Sequence, residues 1–296
     1  MNENSIKFIN DAFINHVQSM CYGKDYKWNR TWSHGTSIPL TVDGKYYSGI
    51  NILTLWFRRK LKPTWIGRSK INELKGWIKI GSKASWVLVP LIKESKDTGE
   101  KELMGYRPRP VFNVEDITGL PEDYYKQGMI EFKNSDEVIE DAEIFFGNVL
   151  YDYAHLEKGS PSYRPDEDKI YMPSFAEFKD AENYYQVLSH ELVHWTGHKS
   201  RLNRIETCNK SRKEYAYEEL VAEIGSAYIL SHLGIRDYVS DNSLAYVSSW
   251  LNALQNDKKF VIDACKDAYK ALQFTIEQNK ISDDIDFQQE YIAQNT

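Results

Sequence analysis

Val187–His198 reads VLSHELVHWTGH, and the fold of the C-terminal half of the chain turns on this stretch. His190 and His194 are four residues apart. On a helix that spacing puts them on one face with their Cβ atoms roughly 5–6 Å apart, close enough for two imidazoles to hold one cation. Glu191 stands between them. In a His-Glu-x-x-His helix that carboxylate is no ligand; it takes a proton from the attacking water and returns it to the leaving amine. Tyr185, Val187, Leu188, Leu192 and Val193 supply the apolar surround that lets such a helix be buried.

Three fixed residues are a weak signal until a third ligand is found. The extended His-Glu-x-x-His-x-x-Gly-x-x-His pattern fails, because Gly197 fits it but position 200 is Ser200 and His198 comes two residues early. The other source is a carboxylate on a second helix, and Tyr217–Gly225 (YEELVAEIG) supplies it. Glu219 and Glu223 share a face at i, i+4, while Leu220, Ile224 and Tyr228 form a buried stripe. Glu219 is assigned to the metal and Glu223 to the support of a ligand imidazole, although the spacing alone also admits the reverse. Tyr217 or Tyr228 is expected to steady the oxyanion. Arg201 and Arg204, in the loop between the two helices, either hold the site or simply face water, and the second is the expectation.

The 296 residues are enough for two domains, and no apolar run approaches the roughly 18 residues a membrane span needs. The N-terminus MNENSIKFINDAF has no secretory apolar region, and Cys21, Cys208 and Cys265 are scattered, which reads as reduced thiols in cytoplasm. The net charge of −6 hides a division: residues 20–110 hold 18 Lys plus Arg against 7 Asp plus Glu. Trp28, Trp32, Trp56, Trp65, Trp77 and Trp86, six of the eight tryptophans, fall in the same span. Cations for phosphates beside rings for unstacked bases suit single-stranded nucleic acid, and no recognition helix or zinc finger for duplex is evident. Any one of Trp56, Trp65, Trp77 and Trp86 is nevertheless expected in the core, where tryptophan is more common. The contacts assigned to the strand are Lys27, Trp28, Arg30, Trp32, Tyr47, Arg58, Arg59, Lys79, Lys83, Arg107 and Arg109.

Residues 4–22 have helical periodicity, and 26–39 read as an aromatic loop. Helices are expected over 46–61 and 69–76, a strand over 85–90, a charged hairpin tip over 93–101 and a returning strand near 107–114. Residues 119–135 read as a linker and 136–148 as the first helix of an acidic second domain. Short strands are expected at 152–154 and 168–173 with a turn at 175–178. Lys169–Met172 is expected to be an edge strand that aligns a peptide by backbone pairing. Amphipathic helices over 243–254 and 260–278 precede a loosely held polar tail, 279–296.

Several stretches, taken together, resemble one family. Tyr47–Leu53, Gly76–Lys83 and Val111–Glu115 resemble the N-terminal domain of the ArdC antirestriction family. His190–His198, Ser200–Arg204, Glu218–Glu223 and Ser249–Lys259 resemble its C-terminal zincin-like metallopeptidase domain. The resemblance covers nearly the whole chain in order. Ile80 and Ala84 depart from it, standing where a lysine and a second glycine are usual. It implies a single-stranded DNA-binding domain fused to a zinc-dependent peptidase-like domain, carried by plasmids, phages and other mobile elements to protect incoming DNA from restriction.

The resulting expectation is an α+β protein of two domains. Residues 1–125 form a basic mixed α/β nucleic-acid-binding domain, and 136–296 a mostly helical zincin-like metallopeptidase domain with a small sheet. Its cofactor is Zn²⁺ or another divalent transition metal held by His190, His194 and Glu219, with Glu191 as base and Glu223 in support. Its partners are single-stranded DNA and a protein or peptide substrate, DNA-bound in the leading reading. The rival reading is a non-proteolytic single-strand-binding protein whose metal is structural.

Overall fold

A computed structural model describes residues 37–58, 60–94, 101–128, 135–149, 151–205, 212–235 and 259–295. The chain divides into two compact units, Met1–Ile130 with Val247–Asp263 and Glu131–Tyr246 with Ala264–Thr296. The readings over 4–22, most of 26–39 and 243–254 lie outside the described residues.

The first unit runs β1 (Leu40–Thr41), α1 (Ile50–Trp56), β2 (Thr64–Gly67), α2 (Arg68–Glu73), β3 (Trp77–Ile78), β4 (Ser85–Glu94), β5 (Lys101–Asn113), β6 (Ile117–Thr118) and α3 (Glu122–Lys126). Its main sheet has the order β1-β2-β5-β4, with β1 and β2 parallel and the other pairs antiparallel. Successive side chains on a strand point to opposite faces. Trp65 and Val111 therefore join Leu55 and Val87 on one side, and their neighbours Ile66 and Phe112 join Val42, Ile71, Val114, Ile117 and Leu120 on the other. Both faces are core, and each fully buried side chain contributes about 1.5–3 kcal/mol. On the edge strand β4, Leu88 N donates to Asn51 Oδ1 at 2.7 Å while Asn51 Nδ2 donates to Leu88 O at 2.8 Å. The amide thus pairs with an edge that is otherwise open to another chain.

Helix α1 is shorter than expected. Tyr46 bridges Leu40, and Tyr47 N donates to Pro39 O, so this backbone is committed to strand pairing before Ile50. The expected linker also begins later than residue 119. Leu120 is buried, α3 follows, and Thr64 Oγ1 donates to Gln127 O at 2.8 Å.

The second unit runs α4 (Ser135–Asn148), β7 (Asp152–Leu156), β8 (Ser162–Arg164), β9 (Lys169–Pro173), α5 (Ala181–Thr196), α6 (Arg212–Leu233) and, from Ala264 on, α7 (Phe260–Asn295). Asp180 starts α5, its carboxylate accepting from Asn183 N at 2.8 Å. Tyr185, Leu188, Leu192 and Trp195, at helical spacing, are buried. Helix α6 is buried almost all round from Leu220 to Leu230, as suits the central helix of a core. Residues 279–295, expected as a loose tail, continue α7 as helix.

The sheet order β7-β9-β8 corrects the edge-strand expectation. Lys169–Met172 lies in β9, paired in parallel with β7 and antiparallel with β8, so its backbone groups have partners on both sides. Ile170 and Met172 are fully buried, which is why the stretch reads so clearly as a strand. The missed strand, β8, has three residues between Pro161 and Pro165, too few for any periodicity to show. No helix among the described residues is long and apolar enough to cross a membrane.

Candidate metal centre

Helices α5 and α6 bring His190, His194 and Glu219 together. The two Nε2 atoms are 3.2 Å apart, and each lies 3.6 Å from an oxygen of Glu219. Donors about 2.0–2.1 Å from a tetrahedral cation are about 3.3–3.4 Å from one another, so the spacing fits a single small divalent ion. The three donor atoms lie within 4.8 Å of one another. The other face of each ring meets a second carboxylate. His190 Nδ1 is 3.7 Å from Glu223 Oε1, and His194 Nδ1 is 3.4 Å from Glu218 Oε1. A carboxylate behind an imidazole selects the tautomer whose Nε2 lone pair points into the site.

No role was expected for Glu218, whose partner is Arg204. Arg204 is buried and not facing water: it grips Glu218 through Nε (3.1 Å) and Nη2 (3.0 Å) and also donates to Val193 O and Thr196 Oγ1. Gly197 permits this, because a Cβ there would come within 2.9 Å of Ile205 and 3.0 Å of Arg204 as the loop folds back. Burial opposes ionisation of Glu218 and Glu219, but the bonds and charges of His194 and Arg204 for the first, and of His190, His194 and Tyr215 for the second, hold both below the usual carboxylate range. Burial likewise opposes protonation of His190, yet the bond to Glu219 and the charges of Glu223, Glu191 and Glu219 outweigh it, raising the imidazole to about 9.

Glu191 sits beside this cluster, almost buried, with Oε2 accepting from Tyr163 N on β8 at 2.7 Å. Tyr163 is itself pinned, since its hydroxyl donates to Asp168 Oδ1 at 2.7 Å and Asp168 forms a two-pronged pair with Arg201. Arg201 also lies 3.8 Å over the Trp195 ring and donates to Trp195 O. The expectation that Arg201 faces water is therefore wrong, and the compensating groups are far away in sequence. The oxyanion expectation fails too: Tyr217 donates to Asp267 at 2.8 Å, and Tyr228 is wholly buried beside Cys265. Tyr215, one turn before Glu219 and half exposed, bonds the Glu219 carboxylate instead.

In the first unit, Lys27, Trp28, Arg30, Trp32 and Arg59 lie outside the described residues. Arg58, Lys79, Lys83, Arg107 and Arg109 are exposed, with Arg58 Nη2 on Lys83 O and Lys79 Nζ on Glu115 O. Tyr47 packs against Leu55, Trp65, Val87 and Val111, and burial raises its phenol to about 12, so its ring is a core element more than a platform. Trp56 and Trp65 are core as expected, whereas Trp77 is 74% and Trp86 40% exposed.

Two helices that present two imidazoles and a carboxylate to one point, beside a short mixed sheet, define a zincin-like domain. Residues 140–267 match the zincin-like metallopeptidase family model, and residues 7–128 match the N-terminal domain of the anti-restriction factor ArdC. The chain belongs to the ArdC antirestriction family. Crystal structures of the antirestriction ArdC protein from the R388 plasmid align over 93% of this chain and 97% of theirs. The Mn(II)-bound one has a TM-score of 0.76 at 32% identity, and the metal-free one 0.75 at 33%. DNA primase TraC of Escherichia coli is 32% identical over 283 residues, 86% of this chain, but the chain spans only 26% of the primase.

Proposed function

We propose that this chain is a divalent-metal-dependent peptidase, held on single-stranded DNA by its basic unit, that hydrolyses DNA-associated proteins in the service of antirestriction. The carrying observation is the His190, His194 and Glu219 cluster at tetrahedral spacing, with Glu223 and Glu218 behind the two rings. Two imidazoles and one carboxylate suit zinc, and the R388 relative accepts Mn(II). A cation held there would supply Lewis acidity, lowering the pKa of a water toward neutrality and polarising a carbonyl.

The protein's own groups do the rest. Glu191 takes the proton of the attacking water and delivers it to the departing amine nitrogen. Tyr163 N–H aims the Glu191 carboxylate. That bond also shows which way β8 faces: its outer edge is turned toward α5. A peptide laid beside β8 would bring its scissile carbonyl to the cluster. The basic surface with Arg58, Lys79, Lys83, Arg107 and Arg109 takes the phosphates, and binding weakens as salt rises.

The test is incubation of metal-loaded protein with a DNA-bound candidate substrate, with and without single strands, read by mass spectrometry. The parent is expected to cut and Glu191→Gln, with metal still bound, is not. Cleavage by the Gln variant removes Glu191 from the mechanism. A second reading, in which the protein coats DNA and the metal only holds the fold, is favoured by the engagement of Glu191 with the Tyr163 amide. It predicts that Glu191→Gln protects DNA in cells as well as the parent does.

A further inference from the structure

After β3 the chain turns at Lys79–Ser82, with Ser82 N donating to Lys79 O at 3.1 Å and Gly81 at φ 85°. A left-handed φ of this kind favours glycine and makes the turn tight. At its tip Ile80 is 106% exposed, as open as a side chain can be, and Trp77 on β3 is 74% exposed. Neither belongs to a core. The base is firm: Trp77 and Ile78 pair with Thr118 and Ile117, and Lys79 N donates to Asp116 O at 2.8 Å. Arg58, Lys79 and Lys83 flank the turn, with Arg58 Nη2 on Lys83 O at 3.1 Å. Of the nearby acids, Asp116 is paired with Lys60 at 2.7 Å, and Glu115 lies 3.9 Å from the same ammonium.

An exposed ring, an exposed branched aliphatic and three cations on a rigid turn match unpaired nucleotides in both charge and shape. Phosphates meet the cations, a base lies on the indole, and an apolar wedge separates stacked bases. We propose that Trp77–Lys83 is a base-unstacking element, with Trp77 as platform and Ile80 inserted between successive bases of the bound strand. The inference rests on the single-strand reading above and adds two residues that act on bases, where the contacts assigned from sequence were chiefly phosphate-binding.

The test uses the full chain and an oligonucleotide carrying two adjacent 2-aminopurines, whose exciton band in circular dichroism reports their stacking. The parent is expected to bind and abolish the band. Ile80→Ser binds but leaves the band, and Ile80→Lys does the same while steepening the salt dependence by about one unit of log slope. Trp77→Ala loses affinity by about tenfold or more, the value of one base stack. Both side chains are exposed, so the variants are expected to melt like the parent. If parent and variants abolish the band alike, as they would if the turn serves a protein partner or a second copy of the chain, this inference is overturned alone. If the parent binds no oligonucleotide, the single-strand reading falls with it.

Discussion

Replacing Gly225 with alanine tests whether the closeness of α5 and α6 builds the site. A Cβ at Gly225 would lie 2.8 Å from Val193 Cγ2 and 2.9 Å from Cγ1, about 0.6 Å short of the 3.4 Å at which ordinary contact begins. In isolation alanine is the better helix former by about 1 kcal/mol. Overpacking a tight crossing costs about 1–3 kcal/mol, so a net loss of up to about 2 kcal/mol is expected. In a unit of this size that is up to about 6 °C in Tm. Helix α6 also carries Glu219 and Glu223, six and two residues before Gly225. A shift of that size exceeds the roughly 0.5 Å within which a ligand set must be held, so metal affinity falls by about tenfold or more. The assay is a double-mutant cycle with Val193→Ala, which removes both offending carbons. Thermal melts and metal titration of the four proteins should show a coupling of about 0.5–3 kcal/mol, with Val193→Ala partly rescuing Gly225→Ala. Strict additivity, or a Gly225→Ala protein with undiminished Tm and affinity, refutes the reasoning.

Glu219→Ala is expected to lose the bound metal, and Glu223→Gln to retain it with affinity about 10–100-fold weaker, by metal analysis and titration; the opposite pattern exchanges their roles. His190 is raised to about 9, so below that pH a cation must displace its proton. Metal affinity should therefore rise about tenfold per pH unit from pH 7 and flatten above about 9; calorimetry showing a flat profile contradicts this. The Glu218 carboxyl is lowered in the folded state, so its contribution is fully present above the ordinary 4.5 and is lost as pH falls through the lowered value. Glu218→Gln leaves Arg204 buried without its charge partner, costing about 3–5 kcal/mol at neutral pH. The gap between its Tm and that of the parent should close in acid.

The sequence by itself determined what depends on neighbours three and four residues apart. The His190, Glu191 and His194 helix, the Glu219 and Glu223 pair, the hydrophobic rhythm of β4 and β9 and the placing of charge along the chain are all local patterns, because a helix or strand repeats its geometry every few residues. Tertiary structure alone decided which carboxylate meets which imidazole nitrogen, because i, i+4 spacing gives Glu219 and Glu223 the same face and only the crossing of α5 over α6 separates Nε2 from Nδ1. It also decided that Glu218 and Arg204 form a buried pair, that Arg201 holds Asp168 and Tyr163, and that β9 is a central strand. The side-chain pairs among them join partners 14 to 38 residues apart, for which no periodicity exists. Trp65 and Trp77 make the same point, since the same side chain is core where a sheet has a second layer and exposed where it turns out to solvent.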